Sequence, residues 1–140
     1  MRPHNRLVNQ LRPLTFELGF TRTAAINGAF VAVVDALNAE RKGLGVPVGE
    51  VVRASVAAVS VGVVDGEERL DLEYVEDRDA EVDLNLVMTG SGKYIEVQGT
   101  GEEATFSRKQ LDALLALGES GIAQITKLQK QALGKAWPIG

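Results

Sequence analysis

The chain reads as an α+β domain: an amphipathic helix, a four-stranded mainly antiparallel sheet and a C-terminal amphipathic helix. Three observations carry this reading. Apolar residues recur at helical spacing from Ile26 to Leu37, the period drops to two between Val59 and Gln98, and a helix-entry signature stands at Ser107. Residues 1–20, with Pro3 and Pro13 and little periodicity, read as an N-terminal arm. Residues 21–134 read as the folded domain and 135–140 as a tail.

In the first helix Ile26, Ala29, Phe30, Val33 and Leu37 form one stripe at i, i+3, i+4, i+7 and i+11. Arg41 and Lys42 suit the negative end of its dipole, and Gly43, Gly45 and Pro47 stop it. Val59, Val61 and Val63 then alternate with Ala58, Ser60 and Gly62 as a strand, and Asp65-Gly66 signals a tight hairpin. The alternation of Leu70, Leu72 and Tyr74 with Arg69, Asp71 and Glu73 predicts a second, half-polar strand. A break over 76–81 precedes a third strand, Val82 to Met88, and Gly90-Ser91-Gly92 turns the chain into a fourth, Tyr94 to Gln98. Sequential strands with short turns predict an antiparallel meander. Ser107 and Gln110 make a capping box, and Phe106 with Leu111 a hydrophobic staple, at the start of the last helix. Its stripe of Leu111, Leu114, Leu115, Ile122, Ile125 and Leu128 is expected to cover the apolar face of the sheet.

Composition narrows the chemistry. With 140 residues, 45% hydrophobic and 24% charged, the chain suits one water-soluble domain and excludes a large multidomain enzyme. The longest apolar run, Ala29 to Val34, ends at Asp35, far short of the roughly 20 residues of a membrane span. Arg2, His4, Arg6 and Arg12 are followed by no apolar leader segment, so a cytoplasmic protein without a membrane partner is expected. There is no cysteine and one histidine, His4, which excludes disulfides, thiolate nucleophiles, Cys-ligated zinc and a Ser-His-Asp triad. Catalysis would have to run on carboxylates, Arg, Lys and bound ions.

The net charge of −4 hides an asymmetry: from Asp65 to Asp83 ten acidic residues face two basic ones, Arg69 and Arg78. Within this stretch Asp77 and Asp83 flank the strand break, and hard oxygen ligands of that kind suit Mg²⁺ or Mn²⁺. The plain alternative is a solvated acidic surface. A second candidate is Thr21-Arg22-Thr23 at the mouth of the first helix, where capping hydroxyls, the positive end of the dipole and a guanidinium fork could cradle phosphate. Here the plain alternative is a capped helix with a solvated arginine. Taken together, the two stations point to phosphoryl transfer. His4 reads as surface, and Phe30, Tyr74 and Phe106 as core.

Several segments resemble the ribonuclease PH family. Thr21-Arg22-Thr23-Ala24-Ala25-Ile26-Asn27-Gly28 is similar to that family's helix start. Ala57 to Gly62, Asp71 to Asp77, Val82 to Thr89 and Ile95 to Thr100 resemble its carboxyl-terminal half in the same order, and Met1-Arg2-Pro3 and Gln10 to Pro13 resemble its amino end. The resemblance implies a phosphate-dependent 3′-to-5′ exoribonuclease, a nucleotidyltransferase that trims tRNA 3′ ends and releases nucleoside diphosphates. It implies inorganic phosphate as co-substrate, held by Thr21 and Arg22, and Mg²⁺ (or Mn²⁺) held by Asp77 and Asp83 as the catalytic acids. It implies RNA as partner and a homo-oligomeric ring. In the family a stretch about as long as this whole chain separates the amino end from the Thr-Arg-Thr helix, whereas here Gly19-Phe20 runs directly into Thr21. We read this as an internal deletion. Phe20 then stands where the family's second loop glycine stands, and a phosphate-contacting arginine, RNA-facing basic surface and packing strands are missing. The alternative expectation is therefore an inactive half-domain that self-associates or binds RNA or protein.

Overall fold

The computed structural model describes residues 22–102 and 104–140. The arm over 1–20, with His4 and Phe20, and the predicted phosphate ligand Thr21 lie outside the described residues. The elements are α1 (Arg22–Ala39), α2 (Arg41–Leu44), α3 (Val48–Val51), β1 (Val56–Val64), β2 (Glu67–Leu70), α4 (Tyr74–Arg78), β3 (Val82–Thr89), β4 (Tyr94–Gly101) and α5 (Arg108–Leu133). A 3-10 turn, Gly134–Ala136, follows α5.

The α+β class and the antiparallel pairing hold, but the strand order corrects the meander. The order is β2-β1-β3-β4, so β1 lies between its two successors. Asp65 (φ 54) and Gly66 (φ 76) make the tight β1–β2 turn, as the Asp-Gly pair predicts. The second strand is shorter than expected because Asp71 turns left-handed (φ 59), a conformation an Asp side chain tolerates. Leu72 is thereby thrown inward, where it joins Val64 and Ala80 in a small cluster of its own. The next residues form α4 instead of more strand, and this connection carries the chain past β1 to its other side. Tyr74, expected in the core, sits on α4 and is 58% exposed.

One face of the sheet is dry. Val59, Val61, Val63, Val82, Leu84, Leu86 and Met88 are buried there against Leu114 and Ile122 of α5, with Phe106, Leu111, Leu115 and Ile125 packed around them. The α5 entry matches its signature, since Ser107 Oγ accepts from Gln110 N–H at 3.2 Å and the Gln110 side chain accepts from Ser107 N–H at 2.9 Å. Gly118 and Gly121 let the helix sit close, because a Cβ there would meet Leu86 and Leu70 respectively. The stripe departs from expectation at its end: Leu128 is 62% exposed, and Gln129 is buried in its place.

Helix α1 is rotated from the predicted stripe. Thr23 and Val34 are buried, whereas Ala29 is exposed and Val33 is 54% exposed. The cause is polar. Beyond β2, the stretch of β1 from Val56 to Ala58 has no strand neighbour on that side among the described residues, and Asn27 turns toward it. Its Oδ1 accepts from Ala58 N–H at 2.7 Å and its Nδ2 donates to Ala58 O at 2.8 Å. Gln129 Nε2 donates to Val56 O at 3.0 Å and to Asn27 O at 3.2 Å, tying α5, α1 and β1 together. Buried backbone groups must be paired, and here two side-chain amides do what a strand would.

Candidate active site

The second face of the sheet carries the candidate site. By strand register, Asp83 lies between Gly62 of β1 and Thr100 of β4, and Asn85 between Ser60 and Gln98. A Cβ at Gly62 would meet Leu72 Cδ1 at 2.7 Å as well as the Val82 carbonyl, so the floor beside Asp83 admits only glycine without movement.

Asp83 is half-buried. Its Oδ2 accepts from Asn85 Nδ2 at 3.2 Å, while Oδ1 is buried without a hydrogen-bond partner among the described residues. Burial, the Asp77 carboxylate and the Glu102 carboxylate together push its pKa up to about 6, against the opposing pull of Arg22 and the Asn85 hydrogen bond. Ser60 Oγ, on the same face and in a residue only 4% exposed, is also unpartnered. Two bare oxygens on one face, one of them anionic, suit a ligand that brings positive charge or hydrogen-bond donors.

Asp77 reaches this neighbourhood on α4, whose position is set from three sides. Glu73 and Glu76 form a capping box, Arg69 of β2 donates to Glu76 Oε1 at 2.8 Å, and Leu72 and Ala80 are buried on either flank. The guanidinium holds the Glu76 carboxyl below its ordinary value, first through that hydrogen bond. A short helix with so few turns needs such anchors.

Arg22, the first residue of α1, comes to the same face. Its Nη2 donates to Glu96 Oε1 at 2.8 Å and to Gln98 Oε1 at 2.5 Å, and both acceptors stand on β4 in register with Val87 and Asn85. The two side chains of the Arg22–Glu96 pair are 56% and 47% exposed, so this is a solvent-screened clasp that an anion can compete for. The structure thus brings Arg22 and Asp83 to one sheet face, with Asp77 on α4 near enough to act electrostatically on Asp83. It adds Glu96, Gln98 and Glu102 of the β4 region, which sequence reasoning missed because an alternating polar strand edge reads as solvated surface.

These residues fit a divalent cation in a limited way. Among the described residues no three acidic or histidine side chains converge into a complete cage. Mg²⁺ commonly takes one or two carboxylates and completes its octahedron with water and substrate phosphate, and Asp83 with Asp77 would supply no more than those one or two.

The fold and this face define a class before they define a protein. Residues 54–121 match the 3′ exoribonuclease family, domain 2. The chain is 53% identical over 116 residues to ribonuclease PH of Corynebacterium efficiens, an alignment that covers 83% of this chain and 47% of that protein. The crystal structure of rice (Oryza sativa) Rrp46 superposes with a TM-score of 0.60 at 23% identity, covering 79% of this chain and 46% of that one. The chain belongs to the ribonuclease PH family, and it spans about half the length of the relatives it matches.

Proposed function

We propose that the chain carries the metal-binding and phosphate-binding station of a phosphate-dependent 3′-to-5′ exoribonuclease acting on RNA, tRNA 3′ ends in particular, in the cytoplasm. The observation that supports this best is the desolvated Asp83 carboxylate, with a bare Oδ1, on the sheet face that the Arg22 guanidinium reaches and within the electrostatic influence of Asp77. Asp83 and Asp77 would hold Mg²⁺ or Mn²⁺, which supplies neutralisation of charge developing on the phosphoryl oxygens when bound. Arg22, with Thr21 beside it in sequence, would hold inorganic phosphate. An oxygen of that phosphate attacks the terminal phosphodiester phosphorus, the bond to the preceding 3′ oxygen breaks, and a proton from the incoming phosphate ends on the new 3′ hydroxyl. The released product is a nucleoside diphosphate. In this scheme the protein contributes position and charge, the two things phosphoryl transfer asks of it. Assembly into a homo-oligomeric ring belongs to the same proposal.

A second reading is favoured by one observation: Arg22 is already clasped by Glu96. On that reading the chain binds RNA or protein, or associates with itself, without turnover. A short RNA incubated with Mg²⁺ and phosphate separates the two. Nucleoside diphosphate that requires phosphate and disappears in Asp83→Asn establishes the enzyme; a full-length RNA at the end of the incubation establishes the binding module.

A further inference from the structure

The far end of α1 differs from the end that bears Arg22. An 18-residue helix at 1.5 Å per residue separates them by about 27 Å, well beyond the roughly 8–10 Å screening length of physiological salt. At this end the chain's single tryptophan, Trp137, forms a ridge between two grooves of about 490 and 290 Å³. Arg41, Lys42 and Lys135 line the larger groove; Arg53 and Lys130 line the smaller. Among the described residues, no acidic side chain lines either one. None of the five cations takes part in a salt bridge among the described residues, whereas Arg22, Arg69, Arg78 and Arg108 all do. In a chain of net charge −4, such a concentration of positive charge outside any ion pair around one indole marks a place for a polyanion.

The platform is held firmly. Phe30 meets the Trp137 ring edge-on at 6.0 Å, Lys130 Nζ lies over one face of the ring 5.9 Å from its centroid, and Asn38 Nδ2 donates to Ala136 O at 3.2 Å. An aromatic ridge flanked by basic grooves is how proteins hold single-stranded nucleic acid: bases stack on the ring and phosphates follow the cations.

We propose that this end of the molecule is a second contact for single-stranded RNA, with a base on Trp137 and the neighbouring phosphates on Arg41, Lys42, Arg53, Lys130 and Lys135. The choice of RNA among polyanions rests on the function proposed above; the grooves themselves do not. The contact would keep a substrate strand on the protein while its end is processed some distance away.

Because Trp137 is the sole tryptophan, its emission reports on this ridge alone. The full chain is titrated with a decauridylate at several salt concentrations. The expected result is saturable quenching whose affinity falls steeply with salt, and a loss of about 0.7 from the log–log slope for each charge removed in Arg41→Ala and Lys135→Ala. The double variant should bind at least tenfold more weakly while melting at the parent temperature. An unchanged emission at saturating oligonucleotide, an unchanged affinity in the double variant, or the same response to polyglutamate or to inorganic phosphate would each overturn the assignment. Arg22→Ala and Asp83→Asn should leave the quenching intact. Quenching without any phosphorolysis therefore sinks only the proposed enzyme, and phosphorolysis without quenching sinks only this second contact.

Discussion

The two faces of one sheet have been put to opposite uses. Under α5 the strands present Val, Leu and Met side chains that are almost wholly removed from water, and the packing there is apolar up to Gln129, whose amide reaches the Val56 carbonyl. On the other face the same strands, one residue out of phase, present Ser60, Asp83, Asn85, Glu96 and Gln98. Two oxygens there are buried and unpaired, and one carboxyl is pushed up to about 6. The first face gains stability from burial; the second gives some of it up to hold charge where a ligand can use it. Strand periodicity lets one stretch of β3 do both.

The contrast can be broken most severely on the dry side. Leu86→Ala removes a side chain with 0% exposure that packs where α5 passes at Gly118, and should cost about 2–5 kcal/mol in a urea titration. A loss below 1 kcal/mol would mean that α5 can collapse onto the gap. On the polar side the sign reverses. The folded protein holds the Asp83 proton up to about pH 6, against 3.8 for the free carboxyl, so Asp83 makes stability fall as pH rises from about 4 to about 6. Asp83→Asn should therefore melt higher than the parent above pH 6, with the gap closing toward pH 4. Equal melting temperatures at pH 7.5 would show that Asp83 is not strained. The same titration requires Mg²⁺ affinity of the parent to weaken as pH drops below about 6, readable by calorimetry. Ser107→Ala tests the edge of the dry side and should cost about 1 kcal/mol, since it deprives Gln110 N–H of its acceptor. The smallest effect is expected at the clasp: Glu96→Gln frees Arg22 and should tighten phosphate binding up to about fivefold, the scale of an exposed ion pair. Weaker binding in that variant would show that Glu96 orients the guanidinium rather than occupying it.

What could be read from the residues followed from how local the deciding forces are. The α5 start depends on Ser107 and Gln110 and the β1–β2 turn on Asp65-Gly66, and each is settled within four residues. The phase of α1 is not local. Its sequence is apolar nearly all round, so its period carries little directional information, and the orientation is decided by Asn27 pairing with Ala58, thirty-one residues away. Leu128 gave way to Gln129 for the same reason, a distant carbonyl that needed a donor. Strand order was equally hidden, because Asp71 and α4 convert an apparent strand into a crossover. At the site, the acidic density around Asp77 and Asp83 stood out, as did Arg22. Their neighbours Gln98 and Glu102 come from β4 and the residues just after it, and only strand register brings them near.

The amides of Asn27 and Gln129 have a consequence for how this sheet meets other chains. They occupy the donors and acceptors that β1 would otherwise show beyond the short β2, so that margin offers no ladder to an incoming strand. β4, whose eight residues are all exposed, has no strand on its outer side among the described residues. The sheet's longer edge is thus the eight residues of β4 against the four of β2, and a strand added beside β4 would arrive alongside the residues that would bind phosphate.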